Sequence, residues 1–461
     1  MHSNIALIFK KMINPRVGFL FLGIFAIVSL AWVIGGMIGV EDYGVLPLAL
    51  VVGLLGALLI FRFPLIGMAT MCFLVPLGPT TRLIGGERAL TLAVGGLLFG
   101  IFVSRVLVFR EKIKLDYISK IVFAYILWGF LSALWAYDPA RSFNYGIRLL
   151  QMLAIYVLFL NYCQDKRQLD ILTLSFIGGA LVSSAVAFFG GMTYRTTQRI
   201  TLSEFDPNNF ALILCLAFIL ISYYFYRTRV AVFKLIFFLG AMIIGYTIIQ
   251  AQSRGMWVAI SLSLILSLIL VFKNSQVIKR AFIATIILAG VIISGYYLGV
   301  INETVVSRFQ TLFSDDVSTM TARRSDIWKV GLEMIKSNFL LGVGLKNFEV
   351  VYNYYALSTN ILTAGFSRDP HNTFLGVIAE TGIVGFFIFA CMFIYIYRNI
   401  HRIANPLAYF VYTWLFLCFV LGNFSITNHF KFYFWIVLVL ISLKLRLENQ
   451  ASLTVYKDKL L

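Results

Sequence analysis

Asp369-Pro370-His371-Asn372-Thr373-Phe374-Leu375 places one of the chain's four histidines where a polar stretch runs into an apolar one. An imidazole titrates near neutrality, so His371 at such a boundary is placed to act as a general base on a substrate held at a membrane surface. Ser253-Arg254-Gly255 opens a second apolar run in the same manner, and Arg323-Arg324-Ser325-Asp326-Ile327-Trp328 opens an amphipathic stretch. A guanidinium stays charged at physiological pH and grips phosphate oxygens with two parallel donors, which suits a pyrophosphate leaving group. Arg195 and Arg199 lie in a further polar stretch that ends in Asp206-Pro207-Asn208, the start of another apolar run. Taken singly, each arginine also fits an interfacial side chain reaching for headgroups. A base and several fixed cations at neighbouring apolar boundaries together point to chemistry on an anionic lipid.

The elements that carry these groups follow from composition. The 461 residues are 60% hydrophobic and 13% charged, with a mean hydropathy of +0.90, well outside the soluble globular range. Apolar runs occupy 17–38, 45–61, 64–78, 89–109, 117–136, 146–162, 169–190, 208–226, 232–250, 255–272, 281–300, 372–397, 407–424 and 430–445. Most are long enough to cross a hydrocarbon core of about 30 Å. The expected fold is all-α: a polytopic integral membrane helical bundle of about 12–14 transmembrane helices. It forms a single transmembrane domain over 1–461, within which 301–370 is one long periplasmic loop containing interfacial helices. The runs 45–61, 64–78 and 146–162 are short or interrupted by Arg62, Pro64 and Arg148, which allows them to be re-entrant or tilted.

Orientation follows from Lys and Arg, which hold short loops in the cytoplasm. Starting inside, 23 of the 38 fall on the cytoplasmic side, and seven of the other 15 sit in 301–370, whose length exempts it from the rule. Both termini are then cytoplasmic. The N-terminal basic patch and the apolar run behind it are read as an uncleaved first span. The net charge of +18 mostly flanks cytoplasmic helix ends, where anionic headgroups attract it, so membrane lipids rather than nucleic acid are the expected partner.

With His2 and His401 on the cytoplasmic side, His371 and His429 are the outer imidazoles, and His429 is the second candidate base. The five cysteines fall in or beside apolar runs without a CxxC spacing, so neither a disulfide framework nor a metal site is expected. The acidic pairs Glu41-Asp42 and Asp315-Asp316 read as solvated charges; no metal and no cofactor are expected. Glu380 lies nine residues past His371, about 13 Å deeper if one regular helix holds both. A carboxyl group there is read as fixing a neighbouring helix or carrying a proton. In the loop, Trp328, Leu332, Ile335 and Phe339 share one helical face, as an interfacial helix on the outer surface would require.

Ser253-Arg254-Gly255, the stretch from Arg324 to Trp328 leading to Gly342-Val343-Gly344-Leu345-Lys346-Asn347-Phe348, and His371-Asn372-Thr373-Phe374-Leu375 with Glu380-Thr381-Gly382-Ile383-Val384-Gly385 follow one another in the sequence. This order resembles the O-antigen ligase and O-antigen polymerase superfamily, as does Asp206-Pro207-Asn208. The motifs cover the C-terminal three-fifths of the chain; the first 190 residues match in hydropathy alone.

The resemblance implies a metal-independent, inverting glycosyltransferase of the GT-C type in a bacterial inner membrane, acting at its periplasmic face on an undecaprenyl-pyrophosphate-linked glycan donor. His371 is then the expected base. Arg254 and Arg324, with Arg195 and Arg199 as helpers, are expected to bind pyrophosphate, and Asn372, Glu380, Asp206 and Asn208 to support them. A ligase would transfer the glycan to lipid A-core, which the long outer loop with its interfacial helix would accommodate. A polymerase would use a second lipid-linked glycan as acceptor, and a protein O-oligosaccharyltransferase a protein. A transporter of lipid-linked sugar would instead place charges at the midplane of two related halves.

Overall fold

Every apolar run that falls within the described residues is helical. The computed structural model describes residues 56–78, 89–108, 110–190, 192–193, 199–202, 205–272, 303–311, 324–359, 361 and 367–458. The expected spans 17–38 and 281–300, most of 45–61, and Arg195 lie outside them.

In chain order the helices are α1 (Gly56–Arg62), α2 (Pro64–Leu77), α3 (Ala89–Leu107), α4 (Tyr117–Leu131), α5 (Pro139–Tyr162), α6 (Lys166–Phe189), α7 (Pro207–Arg227) and α8 (Ala231–Gln250). They continue with α9 (Arg254–Val271), α10 (Glu303–Gln310), α11 (Arg324–Ser337), α12 (Phe348–Ser358), α13 (Thr373–Ile400), α14 (Pro406–Gly422) and α15 (Phe432–Asp458). Among the described residues seven helices are long and apolar enough to cross a membrane, or eight if the bent pair α1–α2 counts as one span. The protein is thus a polytopic helical membrane protein.

The interrupted runs resolve in two ways. At Phe63 the chain bends by 118° between α1 and α2, with Pro64 opening α2, so this pair is a broken or re-entrant span. The run 146–162, by contrast, is the deeper part of the 24-residue helix α5. Pro139 at its first turn and Asp138, whose Oδ1 accepts from the Arg141 amide at 2.9 Å, start the helix well ahead of the apolar residues. Arg148 therefore sits within a full-length span.

Helix α7 is the centre of the bundle: 78% of its span is buried inside the protein, against 22% for each of α8 and α9, which present mostly outward faces. From Tyr433 to Leu443 α15 is also enclosed, as expected of a helix apolar all round.

At one end α11 and α12 lie against the start of α13, where Val330, Met334, Val351 and Ala379 form a small separate core. The buried face of α11 is Ile327, Val330, Gly331 and Met334, one position round from the stripe expected from the sequence. Of that stripe, Leu332 and Phe339 are exposed, which is the side an interfacial helix offers to headgroups.

Helix α13 breaks at Gly382, where φ is 65° and ψ −175°. A Cβ there would stand 2.2 Å from the Leu340 carbonyl oxygen, and one at Gly342 (φ 71°) would stand 2.5 Å from that of Glu380. The two backbones cross too closely for any side chain, and both glycines adopt a left-handed conformation.

Candidate active site

His371 lies outside α13, not on it. Asn372 caps the helix, its Oδ1 accepting from the amides of Phe374 (3.0 Å) and Leu375 (3.1 Å), and His371 precedes that cap with φ of 47°. The 13 Å helical spacing to Glu380 expected from the sequence therefore does not apply.

The first turn of α13 is fastened to the segment joining α14 to α15. The Thr373 amide donates to the Asn423 carbonyl (2.8 Å), and the Thr373 hydroxyl lies within hydrogen-bonding distance of Asn423 Oδ1 (2.8 Å) and the Ile426 carbonyl (2.7 Å). In return the Asn428 amide donates to the Thr373 hydroxyl at 3.2 Å.

The same connector holds the cations. Arg324, the first residue of α11, donates from Nη1 to the Ser425 carbonyl at 2.8 Å. Gly255, beside Arg254 at the start of α9, packs so closely on Ser425 that a Cβ would fall 2.3 Å from its Oγ. Arg254 Nη1 donates to Thr311 Oγ1 at the end of α10, 2.5 Å away.

Asn208 joins the next pair, since its Oδ1 accepts from Ser253 Oγ (2.9 Å) and from Arg199 Nη2 (3.1 Å). Arg199 Nε also donates to the Ala251 carbonyl at 3.0 Å. Asp206 caps α7 through the amides of Asn208 (2.9 Å) and Asn209 (3.1 Å).

The titration of these groups reflects their closeness. Burial pushes the Arg324 guanidinium below its ordinary value and the Arg254 charge pushes the same way, while Asp206 opposes them. Burial likewise lowers His371, with Arg324 and Lys431 adding to the shift and Asp369 and Asp206 opposing it. His371, Arg324, Arg254 and Asp206 thus share one electrostatic neighbourhood.

Glu380 belongs to a different constellation. Its Oε2 accepts from the Lys346 amide at 2.9 Å, and its carbonyl accepts from Gly344 at 2.9 Å, so it ties the 342–347 turn to α13. Lys346 Nζ reaches Glu349 at 2.5 Å, and Arg141 pairs with the same carboxylate. Burial works against the Lys346 ammonium, but Asp369, Glu380 and Glu349 outweigh it and hold the amine above its ordinary value.

His429 is fully buried, its ring packed between Phe389 and Phe430 with both nitrogens lacking a hydrogen-bond partner among the described residues. Burial, helped by Lys346, lowers it to about 3. Of His371 and His429, only His371 joins the arginines.

Sequence reasoning missed the Asn423–Lys431 connector as the hub of this arrangement, and Asp369 as a neighbour of the base. The readable signal was polar density: Asn423, Ser425, Thr427, Asn428 and Lys431 crowd a short link between two apolar runs. Among the described residues no group of three or more His, Cys, Asp and Glu side chains gathers into a cation cage.

Fold and site together define a multi-pass helical membrane protein with a polar, cation-rich cluster at one end of its bundle. Residues 239–390, about a third of the chain, match the family described as O-antigen ligase, a glycosyltransferase-like group of ligases and polymerases, and this segment supports the O-antigen ligase superfamily. The matched segment contains Arg254, Arg324, the 342–348 turn, His371 and Glu380. Arg199, Asp206 and Asn208 lie before it and the Asn423–Lys431 connector after it, and the fold brings both to it. No curated protein matches the chain.

Proposed function

We propose that this protein is an O-antigen ligase, transferring a glycan from undecaprenyl pyrophosphate to a sugar hydroxyl of lipid A-core at the periplasmic face of a bacterial inner membrane. The observation that supports the reading is that the stretches bearing Arg254, Arg324 and His371 all fasten on the α14–α15 connector, Gly255 and Arg324 at Ser425 and Thr373 at Asn423. A lowered His371 is neutral at physiological pH and able to take a proton.

In the proposed reaction the acceptor hydroxyl gives its proton to an imidazole nitrogen of His371 as its oxygen bonds to the anomeric carbon from the face opposite the leaving group. The bond from that carbon to the pyrophosphate oxygen breaks, the electron pair leaves with the pyrophosphate, and the anomeric configuration inverts. Arg254 and Arg324 stabilise the charge that grows on the departing oxygens. Arg199, tied to the same cluster through Asn208, supports the cationic wall, while Asn372 and Asp206 fix the helix starts.

The test is a reconstituted assay offering undecaprenyl-pyrophosphate glycan with lipid A-core, with a second lipid-linked repeat, or with an acceptor protein. Glycan on lipid A-core is the expected product. Elongated lipid-linked glycan would make the protein a polymerase and glycosylated protein a protein-directed transferase; no transfer at all would overturn the reading.

A further inference from the structure

At the far end of α13 from His371, a cavity of about 880 Å³ opens between the last turns of α13 and α9 and the first turns of α14 and α4. Arg398 and Arg402 line it with His401, and no acidic side chain does. Among the described residues neither arginine makes a salt bridge. Thr413, 3% exposed, also lines the cavity, and its buried hydroxyl lacks a hydrogen-bond partner among the described residues.

The remaining wall is of another kind. Cys391, Ile394 and Arg398 follow one another on one face of α13 at helical spacing. Cys391 and Ile394 are exposed, as is Leu270 across the cavity on α9. An apolar stripe thus runs down the outside of the bundle into a pair of arginines. Tyr395, Tyr397 and Tyr409 stand at that level, where amphipathic rings collect at a membrane boundary.

We propose that this cavity is a binding site for an anionic phospholipid of the leaflet opposite the His371 cluster. The phosphate would sit on Arg398 and Arg402, accepting from their guanidinium forks, and an acyl chain would lie along Cys391 and Ile394. Two cations without a lining acid call for a negative ligand, and the stripe above them calls for hydrocarbon. A diacyl phosphate lipid meets both demands, whereas a soluble anion meets only the first. The site is independent of the transfer chemistry, so its test does not depend on a donor or an acceptor.

Cys391 is a built-in reporter, since Cys72, Cys163, Cys215 and Cys418 are buried. The full chain in detergent is exposed to a maleimide with added phosphatidylglycerol, phosphatidylcholine or glycerol 3-phosphate, and lipids retained on the protein are counted by native mass spectrometry. At ten times its Kd, phosphatidylglycerol leaves about one molecule in eleven free and slows modification of Cys391 roughly tenfold. Phosphatidylcholine and glycerol 3-phosphate leave the rate unchanged. Arg398→Ala with Arg402→Ala abolishes both the protection and the retained phosphatidylglycerol, and the double lysine variant, which keeps the charge, retains part of each. Equal protection by phosphatidylcholine, protection by glycerol 3-phosphate alone, or selectivity that survives in the alanine variant would overturn the proposal.

Discussion

Replacing Arg324 with alanine separates its work in catalysis from its work in folding. In the ground state the side chain donates to the Ser425 carbonyl at 2.8 Å, and a bond from a charged group of this kind contributes about 1.5–3 kcal/mol. Against it stand the burial of the guanidinium and the neighbouring Arg254 charge, which lower its titration point, with Asp206 opposing them. Arginine does not shed its proton, so this imbalance remains as a cost to the folded protein. Truncation to alanine is therefore expected to leave the unfolding midpoint in detergent unchanged or higher. In the transition state, removing one preorganised donor to a developing oxyanion costs about 10²–10³ in kcat, roughly 2.7–4 kcal/mol. Arg324→Lys keeps the charge without the planar fork and falls between. The assay pairs initial rates of glycan transfer in proteoliposomes with fluorescence-detected unfolding. A rate loss under about tenfold, less than about 1.4 kcal/mol, would refute the catalytic half of the argument. Loss of activity together with a collapsed midpoint would refute the folding half.

Three further outcomes are expected. Transfer needs neutral His371, so kcat/KM holds above the folded-state titration point and falls as pH drops through it; the acid limb lies below the ordinary value of 6.5, and moves lower in Asp369→Asn and higher in Arg324→Ala. A limb above 6.5, or shifts of opposite sign, would remove His371 from the role. Both His371→Ala and His371→Gly abolish transfer, but at φ of 47° glycine escapes a left-handed cost of about 1–2 kcal/mol, so the glycine variant unfolds no earlier than the alanine one. At Lys329, inside α11, the order reverses by about 1 kcal/mol, and the same order at both positions would show that His371 is not held left-handed. Glu380→Gln keeps an acceptor for the Lys346 amide and retains most activity, whereas Glu380→Ala leaves that amide buried and unpaired and loses about 1–3 kcal/mol of stability; a stable but inactive glutamine variant would assign Glu380 to proton transfer instead.

The helices were legible because apolar run length reports directly on what a bilayer requires. The start of α7 was legible too, since Asp206 with Pro207 is a local capping signal, whereas reading His371 onto the same helix as Glu380 overlooked Asn372 as the cap of α13. The run 146–162 was misjudged for an understandable reason. Hydropathy marks where a helix meets lipid, while α5 begins at its cap, Asp138, in polar sequence. The stripe on α11 was misplaced by one residue because its neighbours α12 and α13 come from elsewhere in the chain, and the packing of Gly331 beneath Leu375 and Phe348 has no local sequence signal. The hub at Asn423–Lys431 was hidden likewise: its contacts with Thr373, Arg324 and Gly255 span 50 residues or more, and only its polar density hinted at them.

Among the described residues, three of the four non-glycine residues with positive φ lie at the same end of the molecule as the candidate site, the fourth being Arg110 (φ 52°) in the link before α4. Gln252, Lys346 and His371 are non-glycine residues with φ of 51°, 58° and 47°, and each immediately precedes the residue that begins a helix: Ser253, Asn347 and Asn372. Such residues cost of order 1–3 kcal/mol and persist only where the surroundings over-determine them. Here they do: Gln252 Nε2 donates to Thr304 Oγ1, Lys346 is held by Glu349 and Glu380, and the residue two beyond His371 is fastened to the α14–α15 connector. A left-handed residue just ahead of a cap turns the chain sharply, so that the side chain of His371 leaves the helix axis instead of following it. It also lets a helix begin at the cluster itself, with the positive end of its dipole among the arginines. Repulsion among those like charges is a standing cost in the free protein, and an anionic pyrophosphate would relieve it. On the proposed function, the strain and the crowded positive charge have a common account: a site organised for a ligand carrying negative charge.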